Sequence, residues 1–106
     1  MHASKRKRIE AAGWRAGTTA EFLGLSGQEA LLVEVKLALA DALRARRTRL
    51  GWTQQALARR LGSSQSRVAK MEAGDGSVSI DLLIRALAGL GATRKELARA
   101  LSPRAA

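Results

Sequence analysis

From residue 26 onward, apolar side chains recur three and four positions apart, the period of one face of an α-helix. The first run is Leu32, Val35, Leu39 and then Ala42 or Leu43, with Glu34, Asp41, Arg44 and Arg47 mostly off that face. Ser26-Gly27-Gln28-Glu29 precedes it in the form of a capping box, with Ser as N-cap and Glu three residues on. Gly51 stops the run. The pattern predicts a helix of about 24 residues, about 36 Å long. Its final turns, residues 44–49, are rich in Arg, which suits the negative end of the helix macrodipole.

Four shorter helices come after it. Thr53 caps a second that runs to Leu61 and ends at Gly62. Ser64 caps a third over residues 65–73, closed by Gly74, and Asp75-Gly76 is a turn dipeptide. Ser79 caps a fourth whose buried stripe is Ile80, Leu83, Leu87 and Leu90, ended by Gly91. Thr93 and Glu96 form a second capping box, opening a fifth helix with Leu97 and Leu101, and Pro103 ends it. No strand-like alternation longer than about four residues stands out. The expected fold is therefore all-α, with a long first helix.

Residues 1–25 read differently. They begin with a basic stretch, then carry three Gly, two Thr and the apolar Trp14, Phe22, Leu23 and Leu25. An irregular, partly packed basic segment is expected, with a short helical turn near residues 20–23 and with Trp14 and Phe22 against the first helix. The organisation predicted is an N-terminal arm over 1–25, a helical domain over 26–102 and a tail over 103–106.

Composition narrows the chemistry. With 46% hydrophobic residues the chain has enough for a core, and with 3% aromatics that core is mostly Leu and Ala, which favours helix over strand. The absence of Cys excludes disulfides, zinc–thiolate sites and thiol nucleophiles. His2, at a terminus prone to fray, is the single His. No metal site, no cofactor and no enzymatic activity are expected, since no nucleophile–base pair or phosphate loop is present. The net charge of +10 predicts a polyanionic partner. No apolar stretch approaches the roughly 20 residues of a membrane span. Lys5-Arg6-Lys7-Arg8 is not a signal start, because Glu10, Arg15 and Glu21 interrupt the segment where an apolar signal core would stand. A cytoplasmic, nucleoid-associated protein is the expectation.

The informative stretch is residues 53–74. Ala58 is small where the second helix meets the third, and Gly62 stands four residues on, where the turn needs a left-handed backbone. Leu57, Leu61, Val68 and Met71 fall on the shared core face. This is the steric pattern of a helix-turn-helix. It leaves Gln65, Ser66, Arg67, Ala69 and Lys70 facing outward. Gln pairs with adenine N6 and N7, and Lys and Arg reach guanine O6 and N7. Gln65, Ser66, Arg67 and Lys70 are the candidate base contacts. Thr53, Gln54, Gln55, Ser63, Ser64 and Ser77 are the candidate phosphate contacts, at or near helix N-termini that favour anions.

These residues carry a resemblance. Thr53-Gln54, Leu57-Ala58, Leu61-Gly62, Ser64-Gln65-Ser66 and Lys70-Met71-Glu72-Ala73-Gly74 are similar to the XRE family of Cro-like repressors. The resemblance implies a lambda-repressor-like domain of five helices, base contacts from Gln65, Ser66 and Lys70, and a phosphate contact from Gln54. Ala73 departs from it, because an Asn that helps hold phosphate is common there. The basic start, Gly13-Trp14, Ala20-Glu21-Phe22-Leu23-Gly24-Leu25, and the run from Ser63 to Asp75 leading into Ser77-Val78-Ser79 resemble HigA-type antitoxins. That likeness implies a RelE/HigB-like toxin bound through residues 1–50 and autoregulation of a shared operon.

Three functional readings remain: an antitoxin repressor on double-stranded operator DNA, a stand-alone XRE regulator without a toxin, and a protein-interaction adaptor. A homodimer is expected, with part of the last two helices as its face, since such domains usually read two half-sites. Glu72, an acid on a surface meant for phosphates, is expected to pair with an Arg, Arg59 or Arg60 being candidates, or with backbone N–H groups. Trp52 is expected to staple to Leu57 across the Thr53 cap.

Overall fold

The computed structural model describes residues 26–103. The expectations for residues 1–25 and for the end of the tail lie outside the described residues. Among the described residues there are five α-helices and no strands: α1 Gly27–Arg49, α2 Gln54–Leu61, α3 Gln65–Glu72, α4 Ile80–Gly89 and α5 Arg94–Leu101.

Every helix starts where a hydroxyl can cap it. The side chains of Ser26, Thr53, Ser64, Ser79 and Thr93 accept the backbone N–H of Glu29, Ala56, Arg67, Leu82 and Glu96. Each such cap contributes about 1 kcal/mol. At Thr93 the Glu96 carboxylate also reaches back to the cap backbone, closing the capping box. At Ser26 the Glu29 carboxylate accepts the cap hydroxyl at 3.0 Å.

The long α1 is the spine, in contact with α3, α4 and α5, and α2 lies against α3. The core joins Leu39 and Leu43 of α1, Leu57 and Ala58 of α2, Val68 and Met71 of α3, Val78, and Leu83, Ala86, Leu87 and Leu90. Full burial of a Leu contributes about 1.5–3 kcal/mol, so these side chains fix how α3 sits on the spine. Trp52 and Leu61 pack against the edge of this cluster.

Two expected core positions are corrected. Leu32 is 51% exposed and Leu101 46% exposed. The buried residues of α1 are Ala30, Leu37, Ala40 and, from the expected stripe, Leu39 and Leu43. In α5, Leu97 packs against the core from the side. Near the start of α1 the covered face is that of Ala30 and not that of Leu32, and Leu101 ends α5 on an exposed turn.

The Arg-rich end of α1 does more than complement a dipole. Arg46 donates to the carbonyl of Leu90 at 2.8 Å and pairs with the Glu96 carboxylate, tying α1 to the start of α5. Arg47 turns the other way, toward the helix-turn-helix.

Candidate nucleic-acid interface

The turn between α2 and α3 is made by Gly62, with φ 65° and ψ 37°. This is the left-handed conformation the spacing predicts, and a side chain there carries a steric penalty. The Gly62 N–H bonds the Arg59 carbonyl and the Ser63 N–H bonds the Ala58 carbonyl. One residue later Ser64 caps α3. With Val68 and Met71 buried on one side, Gln65, Ser66, Arg67 and Lys70 are all exposed on the other. All four candidate base contacts are thus exposed on α3, spread over the arc opposite its buried residues.

Glu72 is only 5% exposed, yet it ends this helix. Its partner is Arg47, not Arg59 or Arg60. Arg47 Nε donates to Glu72 Oε2 at 2.5 Å and Nη2 donates to Oε1 at 3.0 Å. A third guanidinium nitrogen donates to the carbonyl of Trp52 at 2.7 Å. The hydrogen bond to Glu72 raises the Arg47 pKa above its usual value, against the desolvation that lowers it. Arg60 instead lies over the Trp52 ring, 5.4 Å from its centroid, and reaches the Gly89 carbonyl.

From Glu72 a polar chain runs outward. Gln54 Nε2 donates to Glu72 Oε1 at 3.2 Å, and Gln65 Nε2 donates to Gln54 Oε1 at 2.7 Å. Its direction is set by chemistry. An ionised carboxylate only accepts, so Gln54 must turn its NH2 inward and its carbonyl outward. Gln65 must then give one N–H to Gln54, which leaves its second N–H and its Oε1 to the surface. That donor–acceptor pair is the one that matches adenine N7 and N6 in the major groove.

The candidate phosphate contacts divide. Thr53 and Ser64 are exposed, but their oxygens already cap α2 and α3. Gln55 is exposed, Ser63 is half-buried and Gln54 is committed to the chain just described. Ser77 lies in the loop after α3, where both its N–H and its hydroxyl donate to Asp75 Oδ1. The first turns of α2 and α3 hold no acidic residue, whereas those of α1, α4 and α5 hold Glu29, Asp81 and Glu96. A carboxylate in the first turn would occupy the positive end of the dipole, so α2 and α3 are left open to an anion.

A family model described as helix-turn-helix matches residues 43–97, just over half of the chain and the whole of this arrangement. The chain belongs to the XRE-type helix-turn-helix family. As a member it is a DNA-binding transcriptional regulator. No curated protein and no solved structure matches it. Among the described residues no helix of this family member is long and apolar enough to cross a membrane.

The sequence reading missed Arg47 and the direction of the Gln54–Gln65 bond. The signal was present. Arg47 falls four residues after Leu43, and Glu72 four after Val68, so both ions stand on the core stripes of their helices. Opposite charges at core positions of two packed helices are candidates for a pair.

Proposed function

We propose that this regulator is a sequence-specific repressor that reads operator DNA with α3, and that it is the antitoxin of a toxin–antitoxin pair. The observation that carries the first part is the chain Arg47–Glu72–Gln54–Gln65. It anchors an exposed base-reading amide to a buried ion pair, so the amide meets the groove already oriented. Gln65 takes the adenine, Arg67 and Lys70 take guanine edges or neighbouring phosphates, and Ser66 sits beside them. Gln55, Ser63 and the N-terminal amides of α2 and α3 hold the backbone. Thr53, Gln54 and Ser64 flank those amides. Ser77 contributes least, since its hydroxyl is given to Asp75. Two copies on two half-sites would double the contact.

The antitoxin role is supported by the HigA-like motifs of residues 1–25 and 63–79, with residues 1–50 as the toxin-binding part. Co-expression with the product of the adjacent reading frame tests it. A stable complex is expected, and growth arrest unrelieved by this chain would remove the role. For DNA, duplexes selected from a random pool should share a motif. Gln65→Ala should cost about 1–3 kcal/mol on the selected duplex and little on a scrambled one. An equal loss on both would end the base-reading assignment.

A further inference from the structure

The two ends of α1 present surfaces of opposite character. At its start Leu31 is 60% and Leu32 51% exposed. Glu29 stands three residues before Leu32, and Glu34 three residues after Leu31, so a carboxylate neighbours each leucine on the helix surface. Among the described residues Lys36 is the next cation along the chain, a turn after Leu32. At the other end a groove of about 310 Å³ lies between the last turns of α1 and α5. Ala42, Leu87, Leu97 and Ala100 give it apolar walls, and the exposed Arg49 and Arg99 stand at its edge. Arg46 and Glu96 also line it, and they engage each other. Arg49 and Arg99 hold no ion pair among the described residues.

We propose that the groove receives the start of α1 from a second copy of the chain, head to tail. Leucines would meet the apolar walls while Glu29 and Glu34 meet Arg49 and Arg99. A two-fold contact through the groove would set Arg49 and Arg99 against their own copies, and a phosphate backbone would gain nothing from the apolar walls. The complementary surface lies on the same helix, about 20 Å away along its axis. The contact is heterologous, so it propagates in one direction instead of closing by symmetry. It rests on few side chains, and the net charge of +10 opposes it in free solution. Its effect grows when copies are held side by side, which raises their effective concentration.

The test is sedimentation equilibrium of the full chain without DNA, so it does not depend on the operator reading. The wild type should self-associate with rising concentration. Arg49→Glu/Arg99→Glu should lose this even though its net charge is lower, and Glu29→Arg/Glu34→Arg should lose it as well. An equimolar mixture of the two variants should regain it, because each then supplies the surface the other needs. Leu31→Ser/Leu32→Ser should lose association with all charges intact. Far-UV circular dichroism checks that each variant keeps its helix content. A wild type that stays monomeric, or that stops at a dimer, overturns the proposal. So does loss in only one charge variant, or a mixture that fails to recover.

Discussion

Arg47 and Glu72, 25 residues apart in sequence, face each other across α1 and α3 through two guanidinium–carboxylate hydrogen bonds. The carboxylate is almost wholly buried, so removing one partner leaves a charge without compensation. Arg47→Ala or Glu72→Ala is expected to cost about 3–5 kcal/mol in urea unfolding. Arg47→Met/Glu72→Leu should recover most of that stability, because apolar residues of similar size often replace such a pair without loss. The recovered variant should still discriminate poorly between selected and scrambled duplexes, since Gln54 has lost the acceptor that orients it. Intact discrimination in that variant would separate the ion pair from recognition.

Gln54 and Gln65 act as one unit if the chain of hydrogen bonds positions the reading amide. Gln54→Ala should then weaken binding to the selected duplex in the same direction as Gln65→Ala. The double variant should lose less than the sum of the two, by about 0.5–3 kcal/mol in a double-mutant cycle. Additive losses would mean that the two side chains contact DNA independently.

Gly62 and Gly74 share a left-handed backbone but differ in their surroundings. A Cβ at Gly62 would meet open space, whereas at Gly74 it would lie 2.9 Å from Leu37 Cδ2. Gly62→Ala should cost about 1–2 kcal/mol from conformation alone. Gly74→Ala should cost about 1–3 kcal/mol more from overpacking. Chemical unfolding midpoints of the two variants give the comparison directly, and equal shifts would contradict the contact.

Acid should weaken the fold through two carboxylates. The Arg46 hydrogen bond holds the Glu96 carboxyl below its ordinary 4.5. The Ser77 hydroxyl and N–H draw Asp75 from 3.8 down to about 2. Both are depressed in the folded state, so their contribution is complete above the ordinary values and fades as pH falls toward the folded ones. The melting temperature should be flat above about pH 5 and fall below about pH 4.5. Glu96→Gln should lower the plateau and reduce the drop, and an unchanged pH profile in that variant would remove Glu96 from the account.

The helix starts were legible because a cap is a local signal: one hydroxyl and the amides three residues away. Gly62 was legible for the same reason, as a backbone conformation tied to one residue type. The outward set Gln65, Ser66, Arg67 and Lys70 followed from the buried set Val68 and Met71 by helical period alone. The features that escaped were long-range. Period cannot tell that α1 buries Ala30 and bares Leu32, nor that Arg47 prefers Glu72 to solvent. Both depend on which neighbours meet each face of α1 in space.

The Arg47–Glu72–Gln54–Gln65 chain also bears on re-engineering. Exchanging outward residues of α3 for those of another regulator would treat the reading face as a detachable code. Here the code is wired to the interior: a reader placed at 65 must offer a donor to Gln54 or leave that amide idle. Altered targets would need residues 54 and 65 redesigned together, with 72 as the fixed point from which hydrogen-bond polarity is dictated.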